Sequence, residues 1–433
     1  MTKNTPEIMN TQERSSAEKN FILSACWGSL APVMISESAI IILFASMLGA
    51  SDMISMVTTS FGGVTKCLLL LPFAVVVNSL GYKRAIINAT FAGFFLIALA
   101  ASAPWFGDSL ARIILLLALG IFCVLITMYT AAWFPLVSTF LDSNRRSRFF
   151  GRMRFSWQLT TVIYFFICGL IIGKNPPLWV LQLVIFTTGL SLFGRAWYIN
   201  RIPDVKESIN TKLNFRDALS DAWNNKPLCG FSVYICCLYL AAYATLPLTY
   251  VYLKYLHVAD NIVVIISSVA LGGMMTGFLC AGRLVDKYGV KKLMLFVNLL
   301  FAIINISMFF ISQASIFNLI IIGVLVAIYG FFMACSSVAI SSEMMVMAPP
   351  DNKAVSMAFC GTFYAAGMGG SRLLTSLVLG AGLLATEWNI GSMKINHFQT
   401  LFLVFGCVIT FVCIMLVLVP ALFPKSNYSY LPR

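Results

Sequence analysis

Apolar and polar positions divide this chain into long greasy runs separated by short polar interruptions. The runs cover approximately 20–49, 53–79, 85–103, 109–140, 154–173, 178–199, 228–256, 261–282, 290–312, 316–347, 354–385 and 398–423. Roughly 20 apolar residues cross the ~30 Å hydrocarbon core of a bilayer as a helix, so the pattern predicts about twelve spans. Open strands would leave backbone groups unpaired in lipid, which leaves helices as the solution. Pro32, Pro135 and Pro247 fall inside three runs and predict kinks, because proline cannot donate to the carbonyl four residues back. The longest interruption holds Pro203 and Asp204, then Asn214 to Asp217, the pattern of a turn followed by a short surface helix. It divides the chain into a tail (1–19), a first six-helix bundle (20–199), a central loop (200–227), a second bundle (228–423) and a tail (424–433). No independent soluble domain and no cleaved signal is expected.

Composition strengthens this picture. The chain is 60% hydrophobic and only 10% charged, where soluble domains carry roughly 25% charged residues, and its mean hydropathy is +0.89. A water-soluble fold is excluded. The net charge of +13 is distributed unevenly. Lys and Arg accumulate in loops kept on the cytoplasmic side, and one set of segments carries Lys83 and Arg84; Arg145, Arg146, Arg148, Arg152 and Arg154; Arg195, Arg201, Lys206, Lys212, Arg216 and Lys226; and Arg283, Lys287, Lys291 and Lys292. The opposite loops hold Arg112, Lys174, Lys254 and Lys394. Both termini are therefore expected in the cytoplasm, and the basic surplus is assigned to anionic lipid and not to nucleic acid. The twelve cysteines sit mostly inside spans without metal-ligand spacing, and His257 and His397 have no acidic or histidine neighbour at helical spacing. No metal and no cofactor is expected.

One polar interruption repeats. Gly282-Arg283-Leu284-Val285-Asp286-Lys287-Tyr288-Gly289-Val290-Lys291-Lys292 is echoed by Asn78-Ser79-Leu80-Gly81-Tyr82-Lys83-Arg84, with Gly289 and Asp286 both 208 residues after Gly81 and Asn78. Asn352-Lys353 falls on Asn144-Arg145 at the same offset. Two related halves of six spans explain this. The run resembles the loop signature of the major facilitator superfamily, G-x-x-x-D-[RK]-x-G-x-[RK]-[RK], through Gly282, Asp286, Lys287, Gly289, Lys291 and Lys292. In the first half Ala74, Asn78 and Ser79 depart from it. The resemblance implies an all-α membrane protein of two six-helix bundles that rock about a central cavity. It further implies that spans 1, 4, 7 and 10 line the cavity, that 2, 5, 8 and 11 join the halves, and that 3, 6, 9 and 12 face lipid.

Gly289 suits a tight turn, and Asp286 can accept from a helix N-terminus while pairing with arginine. Its expected partner is the start of span 5, with Arg148, Arg152 and Arg154, as a gate on the cytoplasmic side that Glu343 could join; a solvated turn is the plainer reading. Gly273 and Gly277, with Gly361, Gly367, Gly369 and Gly370, mark faces where backbones approach, either for moving halves or for ordinary packing.

Glu37, Lys66 and Arg372 each lie midway along a span. A charge there costs on the order of 2.5–3.5 kcal/mol, which demands a partner or water. Either Glu37 pairs with Lys66 and Arg372 bonds to carbonyls near Gly367 to Gly370, or the trio faces the cavity. In the second case Lys66 and Arg372 bind an anionic group and Glu37 takes up a coupled proton. Tyr129, Trp133, Gln158, Tyr243, Tyr250, Tyr329 and Tyr364 are candidates for stacking and hydrogen bonding, or for packing. The leading expectation is a monomeric secondary transporter in the cell membrane that moves an organic anion, sugar acid or sugar with a proton or cation. A drug efflux antiporter is the alternative. A membrane enzyme or sensor lacks a nucleotide-binding loop, a metal set or a nucleophile beside a base.

Overall fold

The computed structural model describes residues 11–141, 146–203, 215–347, 353–391 and 393–418. Its helices are α1 (Thr11–Ser36), α2 (Ile40–Met47), α3 (Asp52–Leu80), α4 (Tyr82–Ser102), α5 (Asp108–Ser138), α6 (Arg146–Ile172), α7 (Leu178–Asn200), α8 (Phe215–Asn224), α9 (Lys226–Ala242), α10 (Thr245–Tyr255), α11 (Asp260–Tyr288), α12 (Val290–Phe309), α13 (Ile316–Met347), α14 (Lys353–Gly380) and α15 (His397–Leu418). Among the described residues, 10 segments are long and apolar enough to cross a membrane, with α9 and α10 forming one of them, and α1 with α2 makes a further span bent by 51°. The remaining expected span is α14, whose 28 residues reach across but include Arg372 and several glycines. The end where α1 begins and α15 finishes is called basal here, and the opposite end apical.

The repeat is visible in the backbone. From Asp52 to Asp260 and from Leu80 to Tyr288 the offset is 208 residues at both ends of α3 and α11. Each helix stops at a glycine with positive φ, Gly81 at 84° and Gly289 at 75°, a conformation that costs glycine nothing. The structure also corrects the boundaries. Gly282, Asp286 and Lys287 lie on α11 itself, so the basic hairpin reduces to a single turn residue, Gly289. Span 5 begins at Arg146 and not at 154, since arginine is a good helix former and its long side chain tolerates the interface. Span 11 ends at Gly380, and a two-stranded hairpin, β1 (Glu387–Ile390) with β2 (Met393–Asn396), fills the apical interruption. Asn396 and Gln399 then cap α15 reciprocally, each side chain accepting from the other's backbone N–H at 2.9 and 3.0 Å.

The bundles meet along two helix pairs, α3 with α14 and α6 with α11, which are spans 2, 11, 5 and 8. Apolar side chains at helical spacing remain exposed on α4 (Phe91, Phe95, Leu99), α12 (Phe296, Leu299, Ile303) and α15 (Val404, Val408, Phe411), as lipid-facing surfaces require. Gly273 and Gly277 pack against the backbone of α13 at Ala327 and Phe331, within one bundle. Gly369 instead meets Gly63 backbone to backbone across the bundles, where a Cβ on either would clash with the other's main chain. The hydrogen bonds between bundles lie apically or midway among the described residues. Ser376 donates to Met53 O at 2.8 Å, and Asp260 N donates to Lys174 O at 3.2 Å. Toward the basal end of α3, Val75, Val76 and Leu80 are exposed. The described form is closed apically.

Gly63→Val is therefore expected to force the bundles apart. With Ser376→Cys as reporter in a cysteine-depleted background, an impermeant maleimide should react about tenfold faster, the ratio given by a shift of about 1.4 kcal/mol toward the open form. An unchanged rate would show that neighbouring groups absorb the side chain without opening.

Candidate functional site

Two prolines create the framework of the site. Pro32 cannot donate to Gly28 O, and Pro247 cannot donate to Tyr243 O, so each leaves a carbonyl without its helical partner. Buried arginines fill both vacancies. Arg195 Nη2 donates to Gly28 O, and Arg372 Nε donates to Tyr243 O at 3.4 Å. Span 1 breaks between α1 and α2 at Glu37, with Ser36 donating to Pro32 O at 2.9 Å and Ser38 to Met34 O at 3.0 Å. Span 7 breaks between α9 and α10 at Tyr243. There Ser371 accepts from Ala244 N at 2.9 Å, while Tyr329 donates to Ala242 O at 2.5 Å. A polar residue at such a break serves backbone groups that lipid could not satisfy.

Arg372 joins the two breaks. Besides Tyr243 O it donates from Nη1 to Thr59 O of α3 at 2.8 Å, and its guanidinium lies 5.0 Å from the centre of the Tyr243 ring. Its Nη2 is 3.8 Å from Glu37 Oε1, with 2% of the Arg372 side chain and 15% of the Glu37 side chain exposed. Tight charge-assisted contacts are about 2.7–2.9 Å, so the pair is associated but not closed. Lys66, half-buried on α3, lies within electrostatic reach of both groups. It has no hydrogen bond or ion pair among the described residues. The trio is thus brought together, in a different pairing from the structural alternative: Glu37 meets Arg372 and not Lys66. Arg372 serves Tyr243 and Thr59 and not carbonyls near Gly367 to Gly370, because those belong to its own intact helix.

The aromatic candidates separate into two groups. Tyr243 and Tyr364 belong to the site, their hydroxyls 3.4 Å apart, with Tyr239 packed edge-on against both. Tyr250 is fully buried on α10 with an unpartnered hydroxyl. Gln158 bridges the bundles by donating to Leu271 O at 3.2 Å and leaves its Oε1 unpartnered. Tyr329 only stitches the helix break. Trp133 packs in an aromatic cluster with Phe21, Phe134 and Phe150. Tyr129 lies 4.0 Å beneath the Arg195 guanidinium.

Asp286, Lys287 and Arg152 are exposed, and Asp286 forms no ion pair with Arg152 or Arg154 among the described residues; the Arg148 side chain lies outside them. A basal gate would be parted in an apically closed form. Two basic residues assigned to the cytoplasmic segments are instead inside spans. Arg195 is 3% exposed in α7, drawn inward by the carbonyl that Pro32 frees and by the Tyr129 ring. Arg154 lies 5.5 Å from the Phe278 ring centre of the opposite bundle, a cation–π contact that holds it off the basal surface. Both were detectable: Arg195 falls inside the apolar run 178–199, and Arg154 opens the run 154–173.

Two bundles, a helix repeat and intramembrane charges at broken spans define a polytopic membrane transporter. The chain belongs to the Major Facilitator Superfamily, whose profile matches residues 22–371. Its fold is similar to that of a D-xylose-proton symporter, with TM-score 0.74 and 13% identity over 96% of this chain and 99% of the other. It is also similar to a mutant of the nucleoside transporter NupG, with TM-score 0.72 and 14% identity over 94% of this chain and 99% of the other. At such low identity the likeness shows the fold alone. No curated protein matches the sequence.

Proposed function

We propose that the protein is a proton-coupled symporter for a small organic anion or sugar acid, residing in the cell membrane with its basal face cytoplasmic. The orientation rests on Lys83, Arg84, Arg283, Lys287, Lys291 and Lys292 at the basal end. The reading is carried by one observation: Arg372, bonded to Tyr243 O at the span 7 break and to Thr59 O of α3 in the other bundle, keeps Glu37 at 3.8 Å while Lys66 stands by without an ion pair among the described residues. A negative solute group can enter that gap between two cations, and Glu37 is placed to take the proton that travels with it. Protonated Glu37 releases Arg372 to the solute; departure of both on the other side restores the ionic contact. The similar solved structures include a proton symporter and a nucleoside transporter, both handling small polar solutes.

Uptake of labelled organic acids into proteoliposomes under an imposed pH gradient tests this. The parent protein is expected to accumulate an acid above equilibrium. Lys66→Met should raise the half-saturating concentration about tenfold, the loss of about 1.4 kcal/mol of binding, with the maximal rate largely kept. Accumulation of neutral sugars alone, or unchanged saturation in Lys66→Met, would contradict the anion site.

A further inference from the structure

The reading above leaves open how many negative charges the solute carries, and Arg154 bears on it. Arg154 lies five residues inside the apolar span Phe149–Ile172, about 7.5 Å along the axis at 1.5 Å per residue. It reaches the opposite bundle at Phe278, beside Trp157. Among the described residues no acid lies within ion-pair distance of Arg154 or Lys66. Arg154, Arg372 and Glu37 all lie within electrostatic reach of the Tyr364 hydroxyl, which is 3.4 Å from that of Tyr243. Tyr243 in turn lies under Arg372. Arg372 lies eight residues apical of Tyr364 on α14, and Arg154 lies eight residues from the basal start of α6.

The charges do not balance. Among the described residues, Lys66, Arg154 and Arg372 have no carboxylate in ion-pair contact other than Glu37, and Glu37 carries the proton when the solute is bound, so it then neutralises none of them. Each uncompensated intramembrane charge is costly, so a dianion offsets one more of these cations than a monoanion does. Arg195 does not enter the count, because the Gly28 carbonyl and the Tyr129 ring hold it within the first bundle.

We propose that the transported solute is a dianion spanning the tyrosine pair, with one anionic group between Lys66 and Arg372 and the other at Arg154. This rests on the anion reading above and goes one charge further. A dicarboxylate and a phosphate monoester share the required chemistry.

The test is a binding panel on the full-length purified protein at neutral pH, read by thermal shift. It has four arms: short dicarboxylates, phosphate monoesters, monocarboxylates of matched length and neutral sugars. At least one dianion arm should half-saturate at about tenfold lower concentration than the monocarboxylates, a difference of about 1.4 kcal/mol. Arg154→Gln should erase that advantage while leaving monocarboxylate binding unchanged, and Arg154→Lys should retain it. Equal half-saturation by mono- and dianions overturns the inference while the anion site stands, and so does an equal loss of both in Arg154→Gln. Binding by neutral sugars alone overturns both readings. The parent panel decides the matter even where Arg154→Gln does not fold.

Discussion

Arg372→Met is expected to abolish transport and to lower stability in detergent by about 3–5 kcal/mol, the cost of removing one partner from a buried ionic pair. The deletion strips Tyr243 O and Thr59 O of a donor and leaves Glu37 without its counter-ion. Because those contacts lie on both bundles, the loss is expected mainly on the apical side, where Ser376 and Gly63 also join them. Arg372→Lys keeps the charge but not the fork that serves two carbonyls and a carboxylate together. It should recover part of the stability and little transport. Melting curves with parallel uptake measurements check this. Wild-type uptake by a folded Arg372→Met protein would show that the arginine is only a backbone clamp.

Glu37→Gln is expected to divide the transport cycle in two. Glutamine fills the same space and retains a hydrogen-bonding group toward Arg372, but it cannot release and take up a proton. Accumulation driven by a pH gradient should fall to equilibrium, while exchange of labelled for unlabelled solute across the membrane continues. Arg372 then has no intramembrane anion competing with the solute, so half-saturation should occur at a lower concentration than in the parent. Loss of exchange together with accumulation would assign Glu37 to solute binding or to structure and not to coupling.

The span pattern was legible because lipid leaves the backbone few choices, the 208-residue repeat because its polar turns recur, and the joining helices only through the family resemblance. Each crossing must be a helix, and charge at the loops reports which end is which. Glu37, Lys66 and Arg372 were legible as a group for the same reason, since a charge midway along an apolar run stands out. Their pairing was not. Lys66 and Glu37 suggested one another from their places on neighbouring spans, whereas Arg372 reaches Glu37 from the other bundle through the gap at two helix breaks. The breaks themselves were foreshadowed by Pro32 and Pro247, but a proline does not reveal which side chain will take the carbonyl it frees. Arg154 and Arg195 fall within apolar runs, but Arg152 before the first and Arg201 after the second invited their assignment to the basal surface. The apical hairpin at Glu387 to Asn396 arose from a short polar stretch without strong strand alternation, and tertiary packing decided it: Trp388 donates to Thr400 at 2.8 Å, and Gln399 donates to Phe309 O at 2.8 Å.

The most direct test of the coupling site at the helix breaks is proton movement itself. Organic acids are added to de-energised proteoliposomes in weak buffer while the external pH is followed. The account predicts that the medium turns alkaline as solute enters with a proton through the parent protein, and that Glu37→Gln still exchanges labelled solute but produces no pH change. Solute entry through the parent without alkalinisation, or the same alkalinisation with Glu37→Gln, would contradict it.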